Sequence, residues 1–161
     1  MSEGTLTDTI LSTTVVALLN TYPGLAGNAV QFSSLAHDKG FALFPSTGAV
    51  VASSKESITG HVREKRLYPF NLVYRAALKT EAQRVKIKEM LDNIGKWLQR
   101  QPIIVSGAEV QLSNYPVLTT SGGVITSIER TGQAYLYGAF ENGIEDWVLP
   151  CVLKFDVEFD R

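Results

Sequence analysis

From Trp147 to Phe159 the chain alternates without interruption. Trp147, Leu149, Cys151, Leu153, Phe155, Val157 and Phe159 share one parity, and Val148, Pro150, Val152, Lys154, Asp156 and Glu158 take the other. Side chains of an extended strand point alternately to opposite faces, so a period of two predicts a strand with one face in the core. A slip of one residue would expose all seven apolar side chains, which fixes the register. Any fold open to this chain therefore contains a sheet with one dry face and something to cover it.

A helix over Thr80–Gln101 is the first candidate cover. Thr80-Glu81-Ala82-Gln83 has the form of a capping box, with Thr80 as N-cap and Gln83 at the third position. Ile87, Met90, Leu91, Ile94, Trp97 and Leu98 then make one apolar stripe, opposite Arg84, Lys88, Asp92, Lys96 and Gln99. Pro102 stops the helix. A second helix over Leu6–Leu19 is predicted from Leu6, Ile10, Leu11, Val15, Leu18 and Leu19. Thr5 or Thr7 would cap it, and Tyr22-Pro23-Gly24 would end it.

Ile58–Leu78 contains another alternating stretch. Tyr68, Phe70, Leu72, Tyr74 and Ala76 fall on one face, and Pro69, Asn71, Val73, Arg75 and Ala77 on the other. Pro69 has no N–H to donate, so it belongs on an edge or where pairing changes. Arg75 either snorkels or pairs with a carboxylate on an adjacent strand. Val124–Glu129 and Gln133–Tyr137 predict two further strands around Arg130-Thr131-Gly132. Ser121-Gly122-Gly123 and Glu141-Asn142-Gly143 read as turns. Residues 24–57 are rich in Gly, Ala, Ser and Asn and read as irregular, with brief strands at Phe41–Phe44 and Gly48–Ala52. No assignment follows for Ile103–Thr120.

These elements predict a single α+β domain over residues 1–161. Its mostly antiparallel sheet would have four to five strands with two helices packed on one face, and residues 24–66 would form an extended loop or hairpin arm. Hydrophobic residues at 45% and charged residues at 19% fit a globular chain. A net charge of −1 argues against general electrostatic binding to nucleic acid. No apolar run reaches the roughly 20 residues of a membrane-spanning helix. Met1–Thr9 lacks the basic start of a secretory signal and Cys151 is the one cysteine, so folding in a reducing cytoplasm is expected.

Titratable groups do not converge in the sequence. His37 and His61 lie in polar, loop-like surroundings without a third clustered ligand, and Cys151 falls on an apolar strand face. Phosphate-binding and nucleophile-elbow motifs are missing. No catalytic residue, metal or cofactor is therefore expected. The charge run His61-Val62-Arg63-Glu64-Lys65-Arg66 is either a solvated face or an arm that pairs with a neighbouring subunit. Asp156, Glu158 and Asp160 are either solvated outward positions or the lining of an acidic subunit surface or ring. The candidate interface residues are thus His61, Arg63, Glu64, Lys65, Arg66, Asp156 and Glu158. A small-ligand pocket between Trp97 and Trp147 is an alternative of a different class, although core packing also explains tryptophans at these positions.

Several segments taken in order carry a resemblance. They are the helix ending Leu18-Leu19 before Tyr22-Pro23, the strand Arg66-Leu67-Tyr68-Pro69-Phe70-Asn71-Leu72-Val73-Tyr74-Arg75, and Ile94, Trp97-Leu98 and Gln101. Tyr115-Pro116-Val117-Leu118, Ile125-Thr126-Ser127-Ile128-Glu129, Tyr135-Leu136-Tyr137 and the strand from Trp147 follow. Over roughly residues 6–159 this order resembles the tail terminator proteins of long-tailed bacteriophages, also called tail completion or minor capsid proteins, in the version found in phages of Gram-positive bacteria. The resemblance rests on order and residue type, and the Ala/Ser-rich segment Gly24–Ser57 departs from it. It implies a structural virion protein at the head–tail interface: a homo-oligomeric ring, usually of six, that halts tail-tube polymerisation and offers a surface to the head connector. Its partners would be its own copies, the tail tube protein and connector proteins. A head-completion or neck protein of the same virion is the nearest alternative.

Overall fold

The computed structural model describes residues 3–25, 28–77, 80–118 and 123–161, with residues 3–10 described by their backbone alone. In chain order the elements are α1 (Glu3–Leu19), β1 (Val30–Phe32), β2 (Gly40–Pro45), β3 (Val50–Glu56), β4 (His61–Ala77), α2 (Glu81–Leu98), β5 (Ile103–Val105), β6 (Ala108–Val110), β7 (Val124–Arg130), β8 (Tyr135–Ala139) and β9 (Ile144–Asp160). The α+β class and the mostly antiparallel sheet are as expected. The strand count is not: the main sheet has seven strands, and β5 and β6 form a separate two-stranded one.

Two long strands form the spine. β4 and β9 pair antiparallel from His61↔Asp160 to Ala77↔Ile144. Two shorter strands lie end to end along the far side of each. β2 pairs with Phe70–Arg75 and β3 with Val62–Leu67. On the other flank β7 pairs with Cys151–Asp156 and β8 with Glu145–Val148. Each flank breaks at a proline. Ser46 N–H donates to the Pro69 carbonyl at 3.0 Å, and Thr131 N–H donates to the Pro150 carbonyl at 3.0 Å. In a strand the N–H and C=O of one residue point the same way, so each missing N–H faces a gap where no ladder partner waits. The expectation that Pro69 marks a change of pairing is met.

One face of the spine is the core. Tyr68, Phe70 and Leu72 of β4 stand opposite Leu153, Cys151 and Leu149 of β9, all buried. Leu11, Val15, Leu18 and Leu19 of α1 and Leu91, Ile94, Trp97 and Leu98 of α2 complete the same cluster. The capping box of α2 is present, with Gln83 N–H donating to Thr80 Oγ1 and Thr80 N–H donating to Gln83 Oε1. Its polar flank also reaches the sheet: Arg84 binds Glu145, and Asp92 accepts from the N–H of Ala134. α1 is tied to β1 by Asn20, which accepts from Val30 N–H at 2.8 Å and donates to the Val30 carbonyl.

Two expectations need correction, and two open points are settled. α1 begins at Glu3, so Thr5 and Thr7 lie inside the helix and neither caps it. In the region read as irregular, the brief strands expected at Phe41–Phe44 and Gly48–Ala52 are present as β2 and a longer β3, and the three-residue β1 was not expected; β3 is exposed along its whole length and so shows no alternation. The run 61–66 takes the hairpin alternative: it is the first part of β4, paired with β3 in a hairpin and with β9 on its other side. Ile103–Thr120, where no element was assigned, includes the short β5–β6 ribbon. The turn expected at Ser121-Gly122, the end of the β4 stretch at Leu78, and the side chains of Leu6 and Ile10 lie outside the described residues.

Candidate functional site

The predicted interface residues divide between the two faces of the spine. Parity puts His61, Arg63 and Lys65 on the outer face, opposite Asp160, Glu158 and Asp156. His61 Nδ1 lies 2.8 Å from Asp160 Oδ1 and its Nε2 lies 3.4 Å from Glu158 Oε2, while Arg63 Nε is 3.1 Å from Glu158 Oε1. The hydrogen bond to Asp160 is the main reason the His61 pKa is raised, and Glu158 adds to it. The strip is therefore a ladder of alternating charge, and not an uncompensated acidic lining. Glu64 and Arg66 share the core-side parity of Tyr68. They pair with each other at 2.7 Å, their side chains are 13% and 14% exposed, and Arg66 Nε has no hydrogen-bond partner. As an exposed docking pair these two are misplaced, because parity carries them under the sheet.

The other half of the outer face is apolar and concave. Leu35, Phe44, Val73, Tyr135, Tyr137 and Val148 line a groove of about 320 Å³ across β2, β4, β9 and β8. At its end Arg75 forms a two-pronged ion pair with Asp146, Nε to Oδ1 at 2.7 Å and Nη2 to Oδ2 at 2.8 Å, as the adjacent-strand alternative expected. Arg75 also donates to the Ala36 carbonyl and lies over the Phe140 ring. The guanidinium thus pins the 33–39 loop and the approach to β9. Beyond it lies a second hollow of about 700 Å³, bordered by His37, Phe140 and Glu141. Tyr137 is 70% exposed, at a bulge between Leu136 and Gly138 that leaves it out of the ladder.

Backbone edges are the third feature. Among the described residues β3 has a ladder partner only on its β4 side, and all its residues are exposed. Lys55, Glu56 and the bulge between Val51 and Ser53 are devices that limit indiscriminate pairing at such an edge.

Reactive groups are scarce. Burial pushes the Cys151 thiol up to about 12, which keeps it protonated. Trp97 packs edge-on against Tyr22, and the Trp147 N–H donates to Glu145. Neither tryptophan lines the two hollows. Among the described residues no group of three or more His, Cys, Asp or Glu is placed to hold a metal, and no described helix is long and apolar enough to cross a membrane. In comparisons with known proteins, no family model and no curated sequence matches the chain.

The groove was missed at the sequence level because its residues come from four separated segments. The inward turn of Glu64 and Arg66 was within reach: counting back by two from Tyr68 gives both.

Proposed function

We propose that this chain is a non-enzymatic virion assembly subunit of the tail terminator type, closing into a ring at the head-proximal end of a tail tube. One observation carries the assembly part of the reading. β3 offers an exposed strand edge, the outer member of a three-stranded segment that it forms with the start of β4 and the end of β9. Such an edge favours subunit association by strand addition. The ordered sequence resemblance supports the position at the head-proximal end of a tail.

Light scattering and electron microscopy of the purified protein, alone and with isolated tail tubes, provide the test. Rings, formed alone or on tube ends, are expected, with tubes no longer elongating once capped. A monomer at every concentration that also leaves tubes growing would overturn the reading. Rings that bind head connectors without affecting tube growth would instead assign the neck position.

A further inference from the structure

The β3–β4 hairpin closes through Ser57-Ile58-Thr59-Gly60, and this tip is braced. Gly60 N–H donates to the Ser57 carbonyl at 3.0 Å, Ser57 N–H donates to the His61 carbonyl at 2.8 Å, and Arg161 N–H donates to the Gly60 carbonyl at 2.9 Å. Ser57 Oγ accepts from His61 N–H at 3.1 Å. Gly60 takes φ +85°, a left-handed position suited to glycine. At the first corner of the turn stands Ile58, fully exposed at 107%. Single exposed apolar residues are common, but this one is β-branched and stands at the closed end of a hydrogen-bonded hairpin. Turn corners otherwise favour proline or polar residues.

Ile58 and the outer-face groove sit at opposite ends of β4. His61 and Arg75 are on one continuous strand, and at about 3.3 Å per residue they are roughly 45 Å apart. β4 remains paired to β9 along that length, so the tip cannot fold back into its own groove. Both ends carry charges of either sign, most of them paired within the subunit, but one charge at each end is left over and the two are opposite. Lys55 lies opposite Arg63 on the tip side, Glu141 borders the hollow adjoining the groove, and neither has an ion-pair partner among the described residues.

We propose that Ile58 of one copy seats in the groove lined by Phe44, Val73, Tyr135, Tyr137 and Val148 of the next, bringing Lys55 toward Glu141. A knob at one end and a hole at the other make a head-to-tail contact, which closes into a ring where the rotation between copies permits. The inference rests on the ring reading above and adds a side-chain contact to the strand edge that β3 offers.

The test measures oligomeric mass by light scattering, with and without tail tubes, for the full-length wild type, Ile58→Glu and Tyr137→Glu. Both substituted side chains are exposed, so each variant should keep the circular dichroism of the wild type. Each is expected to lose rings and to weaken the subunit contact at least tenfold. A mixture of the two should stop at one-to-one heterodimers, because only one intact knob and one intact hole remain per pair. Lys55→Glu should weaken assembly, and adding Glu141→Lys should restore it. Rings of Ile58→Glu as stable as those of the wild type would overturn the knob-and-groove contact and leave the ring reading standing. A wild type that never assembles, even on tubes, would overturn both.

Discussion

Arg75 and Asp146 face each other across β4 and β9 in a fork whose carboxylate is 7% and guanidinium 23% exposed. A pair of this kind costs desolvation to form, so its net worth is small, but removing one member strands the other. Asp146→Ala is accordingly expected to destabilise the domain by about 2–3 kcal/mol, at the low end for a buried pair because the guanidinium keeps some water. Urea unfolding measures this, and an unchanged midpoint would show the fork to be dispensable. Replacing both residues with apolar ones of similar size should recover much of the loss. Glu145 occupies a similar position on the core side. The Arg84 hydrogen bond is the largest cause of its lowered pKa. Its contribution to stability is therefore present above the ordinary glutamate range and is lost as pH falls through the depressed value. Arg66 with Glu64 is the least satisfied of these pairs, since one guanidinium nitrogen goes without a partner. A substitution there would confuse assembly with folding, whereas Ile58 and Tyr137 would not.

Among the elements, the charged end of the spine is pH-sensitive at one point. His61 bridges Asp160 and Glu158, and its pKa is raised with the hydrogen bond to Asp160 as the largest cause. A raised folded pKa stabilises the protein at pH below the ordinary histidine value of about 6.5, and that contribution is lost as pH rises through the raised one. NMR titration of the His61 ring should place its midpoint above the ordinary value, and Asp160→Asn should bring it back down; an ordinary midpoint in the wild type would refute the bridge. The legibility of the elements follows the same logic of faces. β9 and α2 were readable because each buries one face and so carries its period. β3 was not, since a strand wet on both sides has no period to show. β1 is too short for one and is held instead by Asn20 and by parallel pairing with β2. The charge pattern of 61–66 suggested a solvated run, but burial follows strand parity even there. The groove was illegible because long-range register alone brings its walls together.

For the whole molecule, the proposed assembly would be linked to stability. A subunit that associates when folded and not when unfolded gains stability by mass action. The thermal midpoint should therefore climb with protein concentration for the wild type and stay flat for Ile58→Glu; equal slopes would contradict the role given to the tip. The proline breaks in the two flanks leave β4 as one uninterrupted polypeptide from the hairpin tip to the edge of the groove. In a ring built by tip-in-groove contacts, β4 is a tension member. Hoop stress in such a ring would pass through each subunit along covalent bonds and cross between subunits at their non-covalent contacts. Such a hoop would open first at its joints, with the subunits still folded.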